Sequence, residues 1–176
     1  MAEGTSILIA FSQSFPGLTQ FLTVLAYLIG VWAGGSALVQ LWRWQRFEPE
    51  AGVSSVALRV LVCGVMLFLP ASIETGNETF FNAPTVMSYQ YGSALSAEGQ
   101  ILVDTALGFV RIVGLWAFIY GWTLVLRAHQ HRYDPPSQTK GVVHIIGGVF
   151  AMNIVATLKM LAETFGLESL LALVIA

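Results

Sequence analysis

The chain has 176 residues, of which 56% are hydrophobic and 10% charged, and its mean hydropathy is +0.72. Typical globular chains are about 25% charged, so these few charges cannot cover the surface of a soluble domain this apolar. Only 8 residues are Lys or Arg and the net charge is -2. That excludes a nucleic-acid binder of the usual kind, and the one cysteine, Cys63, excludes an internal disulfide. The composition points to an all-α polytopic membrane protein.

A membrane-crossing helix needs about 20 apolar residues. In chain order, Ile7 to Phe11 is too short and is broken by Ser12, Ser14 and Pro16, so a short interfacial helix is expected there and no cleavable signal peptide is evident. Residues 18–41 contain no charge and form the clearest span. Residues 57–73 approach the lower limit, with Pro70 near the end, where a break costs least. Residues 74–100 read as an outer loop rich in Asn, Ser, Thr and Tyr, with a turn at Asn82-Ala83-Pro84. Within it, Asn77-Glu78-Thr79 matches the glycosylation sequon, a pattern frequent by chance. Residues 101–126 form a third span carrying Asp104 and Arg111, and residues 142–161 a fourth carrying His144, Asn153 and Lys159. Beyond it, Leu161, Phe165, Leu170, Leu171 and Val174 recur at roughly helical spacing. They either continue span four or form an amphipathic helix on the membrane or a partner. One membrane domain over residues 1–176 is expected, with four transmembrane helices in two hairpins. No repeat at a fixed period is read, and the two hairpins do not visibly match.

Cation placement sets orientation. Arg43, Arg46 and Arg59 fall between spans one and two, and Arg127, Arg132 and Lys140 between spans three and four. The segment 74–100 carries Glu74, Glu78 and Glu98 and no cation. Both basic connections are therefore expected in the cytoplasm and both termini outside. Trp42 and Trp44 beside Arg43 and Arg46 resemble an interfacial anchor.

Arg111 is the residue of greatest interest, because a charge near mid-membrane costs about 2.5–3.5 kcal/mol on insertion scales. Asp104 lies two turns earlier on the same face, roughly 10 Å along the axis. With spans three and four antiparallel, Arg111 is expected near Asn153 and Asp104 near Lys159. This polar cluster can glue a helix bundle together, face a lumen built by several copies, or form a substrate or proton site in one chain. Small residues suit close helix packing: Gly30 and Gly34 in span one, Gly108, Gly114 and Gly121 in span three, Gly147 and Gly148 in span four. His129, His131 and His144 offer no convergent pair for haem or metal. Cys63 reads as a small core residue. No Ser-His-Asp constellation, P-loop, GxGxxG or HExxH is present, so no enzyme and no cofactor is expected, bound phospholipid aside.

Three stretches carry a family resemblance. They are Ala26-Tyr27-Leu28-Ile29-Gly30 running to Leu41, Gly64-Val65-Met66-Leu67-Phe68-Leu69-Pro70 followed by Glu78-Thr79-Phe80-Phe81, and His144-Ile145-Ile146-Gly147-Gly148 with Met152-Asn153-Ile154. With them the chain resembles the small inner-membrane components of type IVB secretion and I-type conjugation systems, the DotE/IcmC-like group and its TraQ-like relatives. The resemblance implies a bacterial envelope protein in a DNA or effector transfer machine, either a scaffold or channel part or a pilin-like subunit that polymerises. Its implied partners are membrane lipid, further copies of itself and other components of the apparatus, with no sequence-specific nucleic-acid binding. The basic set Arg43, Arg46, Arg127 and Arg132 would then meet lipid head groups or line a lumen. The competing reading is a small transporter or channel acting on its own.

Overall fold

The computed structural model describes Ile7 and residues 9–46, 53–86, 96–130 and 136–166, and these residues contain helices and no strand. The helices are α1 (Phe15–Gln45), α2 (Val53–Leu67), α3 (Leu69–Phe81), α4 (Ala97–Gln130), α5 (Pro136–Met152) and α6 (Ile154–Phe165). A helical turn from Ile9 leads into α1, so the expected separate N-terminal helix is instead the start of one 37-residue helical stretch. The chain is an all-α polytopic membrane protein. Two helices are long and apolar enough to cross a bilayer, and four spans result if each bent pair counts as one.

α1 and α2 pack as one antiparallel hairpin, α4 and α5 as another. The buried face of α1 is a narrow stripe, Leu22, Ala26, Gly30, Ala33 and Ala37, spaced at three or four residues. Most other α1 side chains are exposed, including Leu28, Val31, Trp32 and Leu38, as suits a helix bathed in lipid. Met66, Val62, Leu115, Phe118, Val149 and Met152 join Ala26 and Ala33 in one core. α4 and α5 approach most closely. A Cβ added at Gly114 would fall 2.7 Å from the Met152 nitrogen and 2.8 Å from the Gly148 oxygen, and one at Gly121 would fall 2.7 Å from the Gly141 oxygen. Two glycines on each helix, seven residues apart, therefore face each other across the hairpin. This is backbone-to-backbone packing of the small-residue kind.

The second and fourth spans are not straight. α2 and α3 meet at 96° across Phe68, and α5 and α6 meet at 95° across Asn153. The expected spans 57–73 and 142–161 each run through such a corner. α2 has 15 residues and α5 has 17, about 22 and 25 Å, so each ends near one face of a bilayer core about 30 Å thick. α3 and α6 then turn across that end of the bundle. The first third of the expected loop 74–100 is thus helix. α3 stops where Asn82 takes the left-handed conformation, φ 52°, with Pro84 two residues on. Of the helical pattern expected beyond span four, Leu161 and Phe165 belong to α6, bent away from α5, while Leu170, Leu171 and Val174 lie outside the described residues. α6 closes at Gly166, φ 67°.

The two corners share one construction. Phe68 has φ -108° and ψ 41°, and Asn153 has φ -109° and ψ 50°. Four residues after each corner a hydroxyl reaches back to a carbonyl three residues before it. Ser72 Oγ donates to Val65 O at 3.2 Å, and Thr157 Oγ1 donates to Phe150 O at 2.8 Å. Flanking backbone bonds match as well, Phe68 to Gly64 and Ser72 to Phe68 in one, Asn153 to Val149 and Thr157 to Asn153 in the other. Pro70 cannot be the common cause, since its counterpart is Val155. The hydroxyl bonds satisfy a carbonyl that the bend frees, which is how membrane helices tolerate a break.

These matches correct the expectation of no internal repeat. Each half runs long helix, short helix, right-angle corner, crossing helix, left-handed stop. Set side by side at a separation of 84 or 85 residues, Gly30-Val31-Trp32-Ala33 meets Gly114-Leu115-Trp116-Ala117, and Arg43 meets Arg127. In the same alignment Glu78-Thr79-Phe80 meets Glu163-Thr164-Phe165. The likeness is confined to structural positions, so a search for a fixed dense period passes over it. The chain is a tandem of two similarly oriented hairpins, an arrangement known for membrane proteins built from parallel repeats.

Candidate functional site

The corners give the bundle two unlike ends. One is capped by α3 and α6. The other holds the α1–α2 and α4–α5 connections. Among the described residues every acid, Glu74, Glu78, Glu98, Asp104 and Glu163, lies toward the capped end. Arg43, Arg46 and Arg59 lie toward the basic end, as do Arg127 and Lys140. Arg46 stacks over Trp42 with Cζ 3.7 Å from the ring centroid, a cation–π contact that holds the anchor motif in place. Arg43, Arg46 and Arg127 are exposed. Arg132, like His131, lies outside the described residues.

α4 places the charged candidates. It has 34 residues, about 51 Å, well beyond the bilayer core. Asp104 and Arg127 are separated along it by about 34 Å, close to that core's thickness. This spacing lets both charges meet water or head groups, and Asp104 is indeed exposed. Arg111 lies about 10 Å further in and is partly buried. Asn153 is fully buried at the corner of α5 and α6. The contact of Gly114 with Met152 sets Arg111, one turn before Gly114, and Asn153, next after Met152, at one level of the hairpin.

The expected pair of Asp104 and Lys159 does not form an ion pair. The turn at Asn153 swings α6 across the bundle, which takes Lys159 away from a straight run beside α4. Lys159 instead lines a cleft of about 450 Å³ between α3 and α6, with Glu78, Phe80, Asn82, Met160 and Glu163. Both copies of the Glu-Thr-Phe motif contribute a carboxylate to this cleft. Beside it, Phe150 of α5 is gripped by Phe80 and Phe81, with ring centroids 5.1 and 5.7 Å away.

Of the seven glycines expected to pack, six do: Gly30 against Met66, Gly34 against Cys63, Gly108 against Phe15, and Gly114, Gly121 and Gly148 against backbone of the facing helix. Gly147 does not, since a Cβ there meets nothing within 4 Å. It faces outward one position away from the Gly148 contact. Gly141 was the missed member, and its spacing of seven from Gly148 was the available signal. Cys63 is partly buried, with Sγ 2.9 Å from where a Gly34 Cβ would lie. The sequon residue Asn77 is fully buried on the underside of α3, with both amide atoms lacking a hydrogen-bond partner, so it is closed to a glycan in the folded chain. Its counterpart in α6 is the buried Ala162. His144 is partly buried, with Nδ1 2.7 Å from Lys140 O and its ring edge-on to Tyr120. Among the described residues no cluster of His, Cys, Asp or Glu suits a metal ion. No protein-family model, curated protein or solved structure matches the chain.

Proposed function

We propose that the chain is a non-enzymatic, self-assembling membrane subunit of a bacterial conjugation or type IVB secretion apparatus, with the filament-forming pilus subunit as its most specific version. In this reading it sits in the inner membrane with the basic end in the cytoplasm and both termini in the periplasm. As a pilus subunit it would pass into an extracellular filament. Its partners are lipid, its own copies and the other parts of the apparatus. The observation that carries the reading is the molecule's shape. It is a thin tandem of lipid-exposed hairpins with charge segregated to its two ends and a crossing helix following each hairpin. That is a building block with little interior of its own in which to do chemistry. The positive-inside rule supports the orientation, and the residue resemblances described above support the apparatus.

A transporter reading keeps one observation in its favour. The chain has two parallel repeats with interrupted helices, and a buried Asn153 lies at the level of Arg111. The two readings part on Arg111→Leu. In an assembly subunit this variant lowers the yield of oligomer extracted from membranes and lowers DNA or effector transfer with it. A variant that assembles fully while solute flux across vesicles is lost contradicts the proposal and favours the transporter.

A further inference from the structure

The relation between the two halves is not a closed two-fold. α3 of the first half crosses onto α5 of the second. A Cβ added at Gly76 would lie 3.2 Å from Val149 Cγ2, and Phe80 and Phe81 hold Phe150. A two-fold relation would lay α6 on α2 in the same way. It does not, and the exposures of matched residues record the difference. At the end of α5, where α3 meets Val149 and Phe150 and α4 meets Met152, Met152 is 5% exposed and Asn153 0%. At the end of α2 the matching Leu67 is 38% exposed and Phe68 69%. On the crossing helices, Phe80 is 41% exposed and its counterpart Phe165 is 70%. The first half therefore has a bare face at the α2 end, at Leu67 and Phe68, and the second a bare face on α6, at Leu161 and Phe165, and each is the partner type that the other lacks.

The bare surfaces also fit in detail. In the contact made within the chain, a small residue on the crossing helix, Gly76, receives a large one on the short helix, Val149. At the matched positions the sizes are exchanged, with Gly64 on α2 and Leu161 on α6. Gly64 has open space over it, since a Cβ there meets nothing within 4 Å, and Leu161 is exposed. One large and one small side chain meet in either case, so the same helix separation can be filled.

We propose that α6 of one copy docks across the bare end of α2 in a second copy, Leu161 over Gly64 and Phe165 over Val65, repeating between chains the contact of α3 on α5 within the chain. Such a contact is heterologous, joining unlike surfaces, so it propagates into a ring or an open filament rather than stopping at a dimer. The inference shares only the self-assembly premise with the proposed function and stands on the repeat geometry.

Disulfide trapping in native membranes tests it, in full-length chain carrying Cys63→Ala. A disulfide needs Cβ atoms about 3.5–4.5 Å apart. The pair Gly76→Cys and Val149→Cys should close within the chain, a control that reports the fold. The pair Gly64→Cys and Leu161→Cys in one chain should give a ladder of dimers, trimers and larger species. Mixing chains carrying Gly64→Cys alone with chains carrying Leu161→Cys alone should stop at dimers, and neither alone should cross-link. Filling the groove with Gly64→Val should lower trapping through a pair Val65→Cys and Phe165→Cys about tenfold, and adding Leu161→Gly should restore it. A ladder-free Gly64–Leu161 pair beside a closed control overturns the proposal, as does self-cross-linking of Gly64→Cys, which would mean a like-to-like interface. If the ladder is absent while oligomers are still extracted, the docking surface is wrong and self-assembly survives. A ladder without any role in DNA or effector transfer leaves the docking intact and rejects the proposed apparatus.

Discussion

Gly114 and Gly147 show how much a glycine's setting decides. Both sit in exposed-looking helical sequence, but the first touches backbone across the hairpin and the second touches nothing within 4 Å. Backbone cannot swing aside as a flexible side chain can, so Gly114→Ala and Gly148→Ala each cost about 1–3 kcal/mol by overpacking. That exceeds the roughly 1 kcal/mol that alanine gains over glycine in helix propensity. Gly147→Ala and Gly35→Ala keep the propensity gain alone and are expected to be neutral or stabilising. Unfolding in mixed micelles, followed by circular dichroism, checks both signs. Sequence could mark these positions as small but could not sort them. Adjacent glycines at 147 and 148 point to different sides, and only the partner helix says which side is filled. The pairing of Asp104 with Lys159 failed for a similar reason. It assumed a straight helix through Asn153, and an Asn carries no obligatory signal for a corner.

The corner is the element that organises the fold. Pro70 marked one of them in the sequence, while nothing of the kind marked the other. What the two share is the hydroxyl at Ser72 and Thr157, a residue type common enough in membrane helices to pass without notice. If the hydroxyl bond is what stabilises the bend, Ser72→Ala and Thr157→Ala should each destabilise by about 0.5–1.5 kcal/mol, with Thr157 the larger because its bond is shorter, 2.8 against 3.2 Å. Ser72→Thr should be tolerated. Equilibrium unfolding of the single variants and of the double variant measures this, and additive losses are expected because the corners share no partner. The spans themselves were legible, since hydropathy is a property of the whole run. Where each run turned was not, because the only side-chain feature the two corners share is a hydroxyl bonded back across the bend.

For the whole molecule, composition and cation placement sufficed to give an all-α membrane protein with helical hairpins and one basic end. The tandem relation was not legible from either. It emerges when Gly30-Val31-Trp32-Ala33 and Glu78-Thr79-Phe80 are set against their later counterparts with the corners as register marks. If α6 docks on α2 between chains as proposed, the exposed faces of the α2 end and of α6 are the surfaces on which an array would grow. Trp32 and Trp116, both exposed, keep the same lipid-facing position in each unit, so a growing array would present one repeated surface to the bilayer. The most direct test is electron microscopy of complexes extracted from native membranes in mild detergent, with the chains counted by mass. Rings or filaments in which the hairpin repeats twice per chain, at nearly equal spacing within and between chains, are the expected result. Isolated chains, or dimers closed by a two-fold axis, would contradict the account.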